Sequence, residues 1–225
     1  MEKLIELDNL GIIFYENKFY TISGSNNSGK TTLIRILNAS DNLFKAVIPF
    51  ELRINRDNLL EELNYQKIDK ELVDYILKGL KIKGISKQPI NSLSKKEIIL
   101  IQIALALVKR PKALLLDSID NYLSEDEINK LFKFLKDYQN KYTLAVINTT
   151  INLKESLLTD YLYVLHKGEV ILEGEPLNVL QNDNILNRIG LEVPFMIDLS
   201  VKLRDYELIS DIELDQDRMV DILWK

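Results

Sequence analysis

Residues Gly24-Ser25-Asn26-Asn27-Ser28-Gly29-Lys30-Thr31 form a complete G-x-x-x-x-G-K-[ST] stretch. Each residue type has a physical task. The glycines let the backbone fold into a nest of N–H groups that wraps phosphate oxygens. Lys30 adds a point charge at the outer phosphates, and the Thr31 hydroxyl can ligate Mg²⁺. The flanks support this reading over a plain glycine turn. Phe19-Tyr20-Thr21-Ile22-Ser23 reads as a buried strand, and Leu33-Ile34-Arg35-Ile36-Leu37 suits a helix packed against it. Strand, loop and helix in that order are the context in which such a loop cradles phosphates. The chain is therefore expected to bind a nucleoside triphosphate through Gly24 to Thr31, with Thr32 alongside.

Moving outward, short buried strands are read at Ile12–Tyr15, Phe19–Ser23, Ala46–Ile48, Ala113–Asp117, Thr143–Ile147, Tyr161–Leu165 and Val170–Glu173. Helical patterns lie at Lys30–Asn38, Asp57–Gln66, Lys70–Leu80, Ser94–Lys109, Ser124–Gln139 and Leu177–Gln181. Alternation of this kind predicts an α/β fold on a parallel sheet. The stretch from about 50 to 110 reads as a helical insertion, and Tyr161 to Glu173 as a hairpin turning at His166-Lys167-Gly168. Mostly helical material follows Pro176. Leu114-Leu115-Leu116-Asp117 is an apolar strand ending in an acid, which places Asp117 as the second magnesium-site residue beside Thr31.

Composition narrows the classes. A hydrophobic fraction of 46% over 225 residues supports a real core, and a net charge of -5 argues against a broad nucleic-acid face. The absence of cysteine rules out disulfides and thiolate metal sites. Met1-Glu2-Lys3-Leu4-Ile5-Glu6 has no signal-peptide character. The longest apolar run, Ile98 to Val108, is interrupted by Gln102 and too short for a bilayer.

Between Leu93-Ser94-Lys95-Lys96-Glu97 and Asp117, the sequence carries Ala104-Leu105-Ala106-Leu107 and Pro111-Lys112 without a gap in register. This block resembles the signature segment of the ABC ATPases. The run Leu165 to Pro176 resembles that family's hairpin, and Ile189-Gly190-Leu191-Glu192-Val193-Pro194 resembles the C-terminal extension of energy-coupling-factor transporter ATPases. The resemblance implies a P-loop NTPase of the ABC ATPase type, with a mostly parallel core sheet and an inserted helical subdomain. It implies a nucleotide-binding domain over 1–183 and a short extension over 184–225. It also implies ATP and Mg²⁺ as cofactors, with Ser94 reaching a nucleotide across a dimer interface. The implied partners are a second ATP-binding subunit, identical or not, and a transmembrane transporter subunit. The implied location is peripheral, on the cytoplasmic face of the cell membrane.

The departures from the family pattern bear on catalysis. Ser118 stands where the family has a glutamate base, and a hydroxyl is a poor base near neutral pH. Counting from a strand over Thr143–Ile147 puts Thr149 at the switch-histidine position. The only histidine, His166, falls in the hairpin turn. Glu51 is the acid left in the region of the missing glutamine. Phe14 and Tyr15 read as core rather than as an adenine platform. Lys95 and Lys96 replace signature glycines, while Ser94 and Glu97 also form a capping box. Ser124 replaces an Asp and is expected to cap the next helix. Two readings stay open in one architecture: a non-hydrolytic ATP-binding subunit with no catalytic residue clearly retained, and an active ATP-hydrolysing motor. A P-loop kinase or other NTPase is a third.

Overall fold

The computed structural model describes residues 2–39, 45–49 and 56–224. Glu51 therefore lies outside the described residues. Strands β1 (Lys3–Leu7) and β2 (Ile12–Tyr15) pair antiparallel. Strand β3 (Phe19–Ser23) runs into the phosphate loop and then helix α1 (Lys30–Ala39). Strand β4 (Lys45–Ile48) follows, then helices α2 (Leu59–Tyr65), α3 (Lys70–Gly79) and α4 (Lys95–Leu107). Strand β5 (Ala113–Asp117), helix α5 (Glu125–Gln139) and strand β6 (Ala145–Thr150) come next. Strands β7 (Tyr161–His166) and β8 (Glu169–Gly174) form the hairpin. Helices α6 (Pro176–Leu180), α7 (Asp183–Arg188), α8 (Phe195–Asp205) and α9 (Gln216–Leu223) complete the described chain.

The main sheet runs β4-β5-β6-β3-β7-β8. The first five strands of that order pair in parallel, and β8 returns antiparallel. The central strands are buried on both faces, which is why β3 and β5 read as near-continuous apolar runs. On one face Phe19, Leu114, Leu116 and Val146 pack with α3, α4 and α5. Helix α4 is buried on nearly all sides, so it is apolar around its circumference rather than along one stripe. On the other face Tyr20, Ile22, Leu115 and Ile147 pack with α1 and the β1–β2 pair. A third cluster joins Leu153, Leu162 and Val164 to Leu186, Leu191, Ile197 and Val201, so residues beyond 184 pack directly on the sheet edge.

Two expectations need correction. Strand β6 occupies Ala145–Thr150, not Thr143–Ile147, so Asn148, Thr149 and Thr150 are inside it and fully buried. Polar residues in a central strand are tolerated because each finds a hydrogen-bond partner, as described below. His166 is the last residue of β7, paired with Glu169, and the turn itself is Lys167-Gly168. Both turn residues have positive φ, 52° and 86°, the backbone that a two-residue hairpin turn demands.

Candidate functional site

Because β3, β5 and β6 are parallel neighbours, their C-terminal ends share one sheet edge, where ligands of α/β sheets bind. Register aligns Asp117 with Thr149, and Thr149 with Ile22 one residue before Ser23. The loop Gly24–Gly29 leaves this edge and α1 begins at Lys30. A cavity of about 460 Å³ opens there, lined by Asn26 to Thr32 and by Ser118. Thr31 and Thr32 are exposed at the start of the helix.

The loop is shaped by close approaches that only glycine permits. A Cβ on Gly24 would lie 2.4 Å from the Leu165 carbonyl and 2.4 Å from Ser28 Oγ. Gly29 has φ 110° and faces Gly168. The Gly168 N–H donates to the Ser28 carbonyl at 2.9 Å, and the Ser28 N–H donates to the Ser25 carbonyl at 3.1 Å. The β7–β8 turn therefore buttresses the phosphate loop from behind. Sequence reading found the hairpin but gave it no role at the site; no local signal pairs Ser28 with Gly168. The Lys30 ammonium donates to the carbonyls of Gly24 at 2.5 Å and Ser25 at 3.0 Å. Burial pulls its pKa below the ordinary lysine range, against the opposing influence of the Asp120 and Asp117 carboxylates.

Asp117 ends β5, next to Ser118 of the cavity wall. Its Oδ1 accepts from Thr149 Oγ1 at 2.8 Å and from Ser118 Oγ at 3.3 Å. Its Oδ2 makes no hydrogen bond among the described residues. The Thr31 hydroxyl of the cavity lining and the Asp117 carboxylate, whose neighbour Ser118 reaches the cavity, are hard donors of the kind Mg²⁺ takes. A glycine cradle that a single Cβ would fill suits phosphate against backbone. The residues present thus fit a magnesium nucleotide.

The neighbourhood of Asp117 holds hydroxyls where a base is expected. Ser118 adopts a left-handed backbone, φ 55° and ψ 46°, and its N–H donates to both the Thr149 carbonyl and Thr149 Oγ1. The first residue after β6 is Ile151, which is exposed. Thr149 therefore faces Asp117 from within the sheet instead of following the strand. Asp120 is a carboxylate that sequence reading passed over. Its Oδ2 accepts from Thr150 Oγ1 at 3.0 Å and its Oδ1 is buried without a partner. It lines a separate cleft of about 470 Å³ with Ile151, Lys154, Glu192 and Phe195.

Behind that edge lies a buried polar network. Thr150 Oγ1 also lies 3.1 Å from Glu155 Oε1, and Asn148 Nδ2 donates to Glu155 Oε2 at 2.8 Å. Burial, with Asp120 and Glu125 nearby, pushes the Glu155 pKa up to about 7, despite the hydrogen bonds from Asn148 and Thr150.

Ser94, expected at a nucleotide across an interface, is the exposed N-cap of α4. Its hydroxyl donates to Glu97 Oε2 at 2.6 Å and its N–H to the same oxygen at 2.8 Å, a capping box. Lys96 pairs with Glu127, the residue whose carboxylate also accepts from the Ser124 N–H at 3.0 Å. The Lys96 hydrogen bond and then the Ser124 N–H hold the Glu127 pKa down to about 2. The pair thereby ties the start of α4 to the start of α5. Phe14 is fully buried edge-on to Tyr20, a core residue as expected.

The chain is 26% identical to the energy-coupling factor transporter ATP-binding protein EcfA1 of Mesomycoplasma hyopneumoniae, across 100% of this chain and 93% of the relative. It is 28% identical to EcfA1 of Ligilactobacillus salivarius, across 84% of this chain and 78% of that one. Among solved structures, it superposes on cbiO1 from Clostridium perfringens, part of the ABC transporter complex cbiONQ. The TM-score is 0.65 and the identity 22%, over 84% of this chain and 90% of that one. An ATP-binding cassette of an ABC transporter in its ADP conformation superposes with TM-score 0.61 at 21% identity, over 80% and 90% of the two chains. No protein-family profile matches the chain. The chain has the α/β fold of the ABC ATPases and, in sequence, resembles the ATP-binding proteins of energy-coupling factor transporters along its whole length.

Proposed function

We propose that the protein is an ATP-binding subunit of an ABC-type, energy-coupling-factor-like importer that binds Mg-ATP and hydrolyses it weakly or not at all. The observation that carries this is the composition of the Asp117 corner. A complete glycine cradle shares its cavity with Ser118, next to a carboxylate with one oxygen unbonded among the described residues, yet the adjacent groups are the hydroxyls of Ser118 and Thr149 and the exposed side chain of Ile151. Gly24 to Thr32 would hold the phosphates, with Thr31 and Asp117 on the metal. Bound Mg²⁺ would neutralise the phosphate oxygens. In this reading neither Ser118 nor Thr149, the described residues bonded to Asp117, takes a proton from water near pH 7, and general-base assistance is typically worth about 10²–10⁴-fold.

The loop that would cap a partner's nucleotide points the same way. The Ser94 hydroxyl is engaged by Glu97, and the Lys96 charge is neutralised by Glu127. Dimerisation with a second ATP-binding subunit and docking on a transmembrane subunit are part of this reading. They are supported by the likeness to transporter ATP-binding proteins. No helix among the described residues is long and apolar enough to cross a membrane. The reading accordingly puts the chain peripherally, on the cytoplasmic face of the membrane. Residues 1–183 form the nucleotide-binding domain in this reading and 184–225 its extension.

The test is nucleotide binding and turnover on one purified sample with Mg²⁺, comparing wild type with Lys30→Ala. Binding that weakens by about tenfold or more in Lys30→Ala, which is about 1.4 kcal/mol or more, is expected with turnover at background in both. Turnover that depends on Lys30 and proceeds at the pace of an active motor, about 1 s⁻¹ or faster, overturns the reading.

A further inference from the structure

The switch position was expected to fall on Thr149, yet its side chain is held inside β6, fully buried and opposite Asp117. Its hydroxyl has one hydrogen, which goes to Asp117 Oδ1 at 2.8 Å, shorter than the 3.3 Å contact from Ser118 Oγ. The same oxygen accepts from the Ser118 N–H at 3.2 Å, which also meets the Thr149 carbonyl at 3.1 Å. These bonds close a small ring: Asp117 to Thr149, Thr149 to Ser118, and Ser118 back to Asp117. The ring holds Ser118 in the left-handed region, a conformation that persists for a residue with a Cβ only when its surroundings over-determine it. It also brings Ser118 to the cavity wall.

A free aspartate turns broadly about its last torsion. Here Oδ1 is pinned from two directions, which leaves Oδ2 as the oxygen without a hydrogen bond among the described residues. Groups that orient a metal ligand commonly contribute tenfold or more to metal affinity. We propose that Thr149 is a positioning residue: its hydroxyl holds Oδ1 and so presets the Asp117 carboxylate, leaving Oδ2 for the metal of a magnesium nucleotide. The inference rests on the reading of Asp117 as a magnesium-site residue, given above. It makes the corner a fixed clamp in which the hydroxyls hold the carboxylate instead of moving protons.

The experiment measures ATP affinity of the full chain by calorimetry, once with Mg²⁺ and once with EDTA. The readout is the ratio of the two affinities for wild type, Thr149→Val, Thr149→Ser and Asp117→Asn. Valine keeps the shape, and the Ser118 N–H retains the Thr149 carbonyl, so no buried donor is orphaned. Thr149→Val is expected to lower the Mg²⁺ advantage by about tenfold while leaving binding in EDTA unchanged. Thr149→Ser is expected to restore the advantage. A general loss of structure would move both conditions together in Thr149→Val, and that outcome overturns the assignment. A Mg²⁺ advantage that survives in Thr149→Val but falls in Asp117→Asn overturns the positioning role alone. An advantage that survives in Asp117→Asn removes Asp117 from the metal site, and the inference falls with it.

Discussion

Replacing Glu155 by glutamine is expected to stabilise the protein at neutral and alkaline pH and to leave it nearly unchanged at pH 5. The reason is a shortage of hydrogen in the buried network. Thr150 Oγ1 lies within hydrogen-bond distance of both Asp120 Oδ2 and Glu155 Oε1, yet one hydroxyl has one hydrogen to give. It also accepts from the Asn152 N–H at 2.9 Å. Both contacts become good hydrogen bonds if Glu155 carries a proton and donates it to Thr150, which then donates to Asp120. The buried, unpartnered Asp120 Oδ1 and Asn148 Oδ1 confirm that acceptors outnumber donors here. Burial, with the neighbouring acids adding to it, accordingly raises the Glu155 pKa from 4.5 to about 7.

The sign follows from proton counting. Between these two values the folded state binds more protons than the unfolded state, so stability falls as pH rises through the window and levels off above it. At 1.36 kcal/mol per unit, the shift corresponds to about 3 kcal/mol that wild type loses between pH 4.5 and pH 7. Glutamine mimics the protonated acid. Its amide can donate to Thr150 and its carbonyl can accept from Asn148. The assay is thermal unfolding of wild type and Glu155→Gln at pH 5, 6, 7 and 8. Other carboxylates titrate in the same range, and the difference between the two proteins removes them. That difference is expected to grow with pH to roughly 6–12 °C in Tm for a chain of this size. A difference that is constant with pH, or largest at pH 5, would refute the reasoning.

Two further substitutions test the packing. Gly79→Ala lies in α3, where alanine ordinarily gains about 1 kcal/mol over glycine. A Cβ there would sit 2.0 Å from the buried Phe134 ring, so a net loss of about 1–2 kcal/mol is expected by denaturant titration. Gly24→Ala would drive a methyl against the Leu165 carbonyl and Ser28. It should weaken ATP binding by at least about tenfold while far-UV circular dichroism stays unchanged.

Much of the fold was legible because its signals are local. The phosphate cradle is a contiguous run, since backbone N–H groups can wrap an anion only where successive residues permit it, so Gly24 to Thr31 announced itself. Strand β5 and its terminal Asp117 followed from an apolar run with an acid at its end. The capping box at Ser94 followed from spacing within one helical turn, and Ser124 was read as the cap of α5, where the structure adds the reciprocal Glu127 bond. Strand β1 was missed, since Lys3–Leu7 is short, carries two charges at Lys3 and Glu6, and is irregular in register. Strand β6 was placed too early because Asn148, Thr149 and Thr150 read as the polar residues that follow a strand. They belong to it because Asp117, Asp120 and Glu155, brought from other elements, supply partners that a sequence window cannot reveal.

The sequence by itself determined the class of fold and marked the glycine loop proposed to hold phosphate. Only the tertiary structure decided what surrounds that loop. It set the Gly168 turn behind Ser28, turned Thr149 toward Asp117, and left Ile151 at the position after the strand. A cradle is made of neighbours in the chain. A buttress and a corner are made of neighbours in space, and sheet register chooses them.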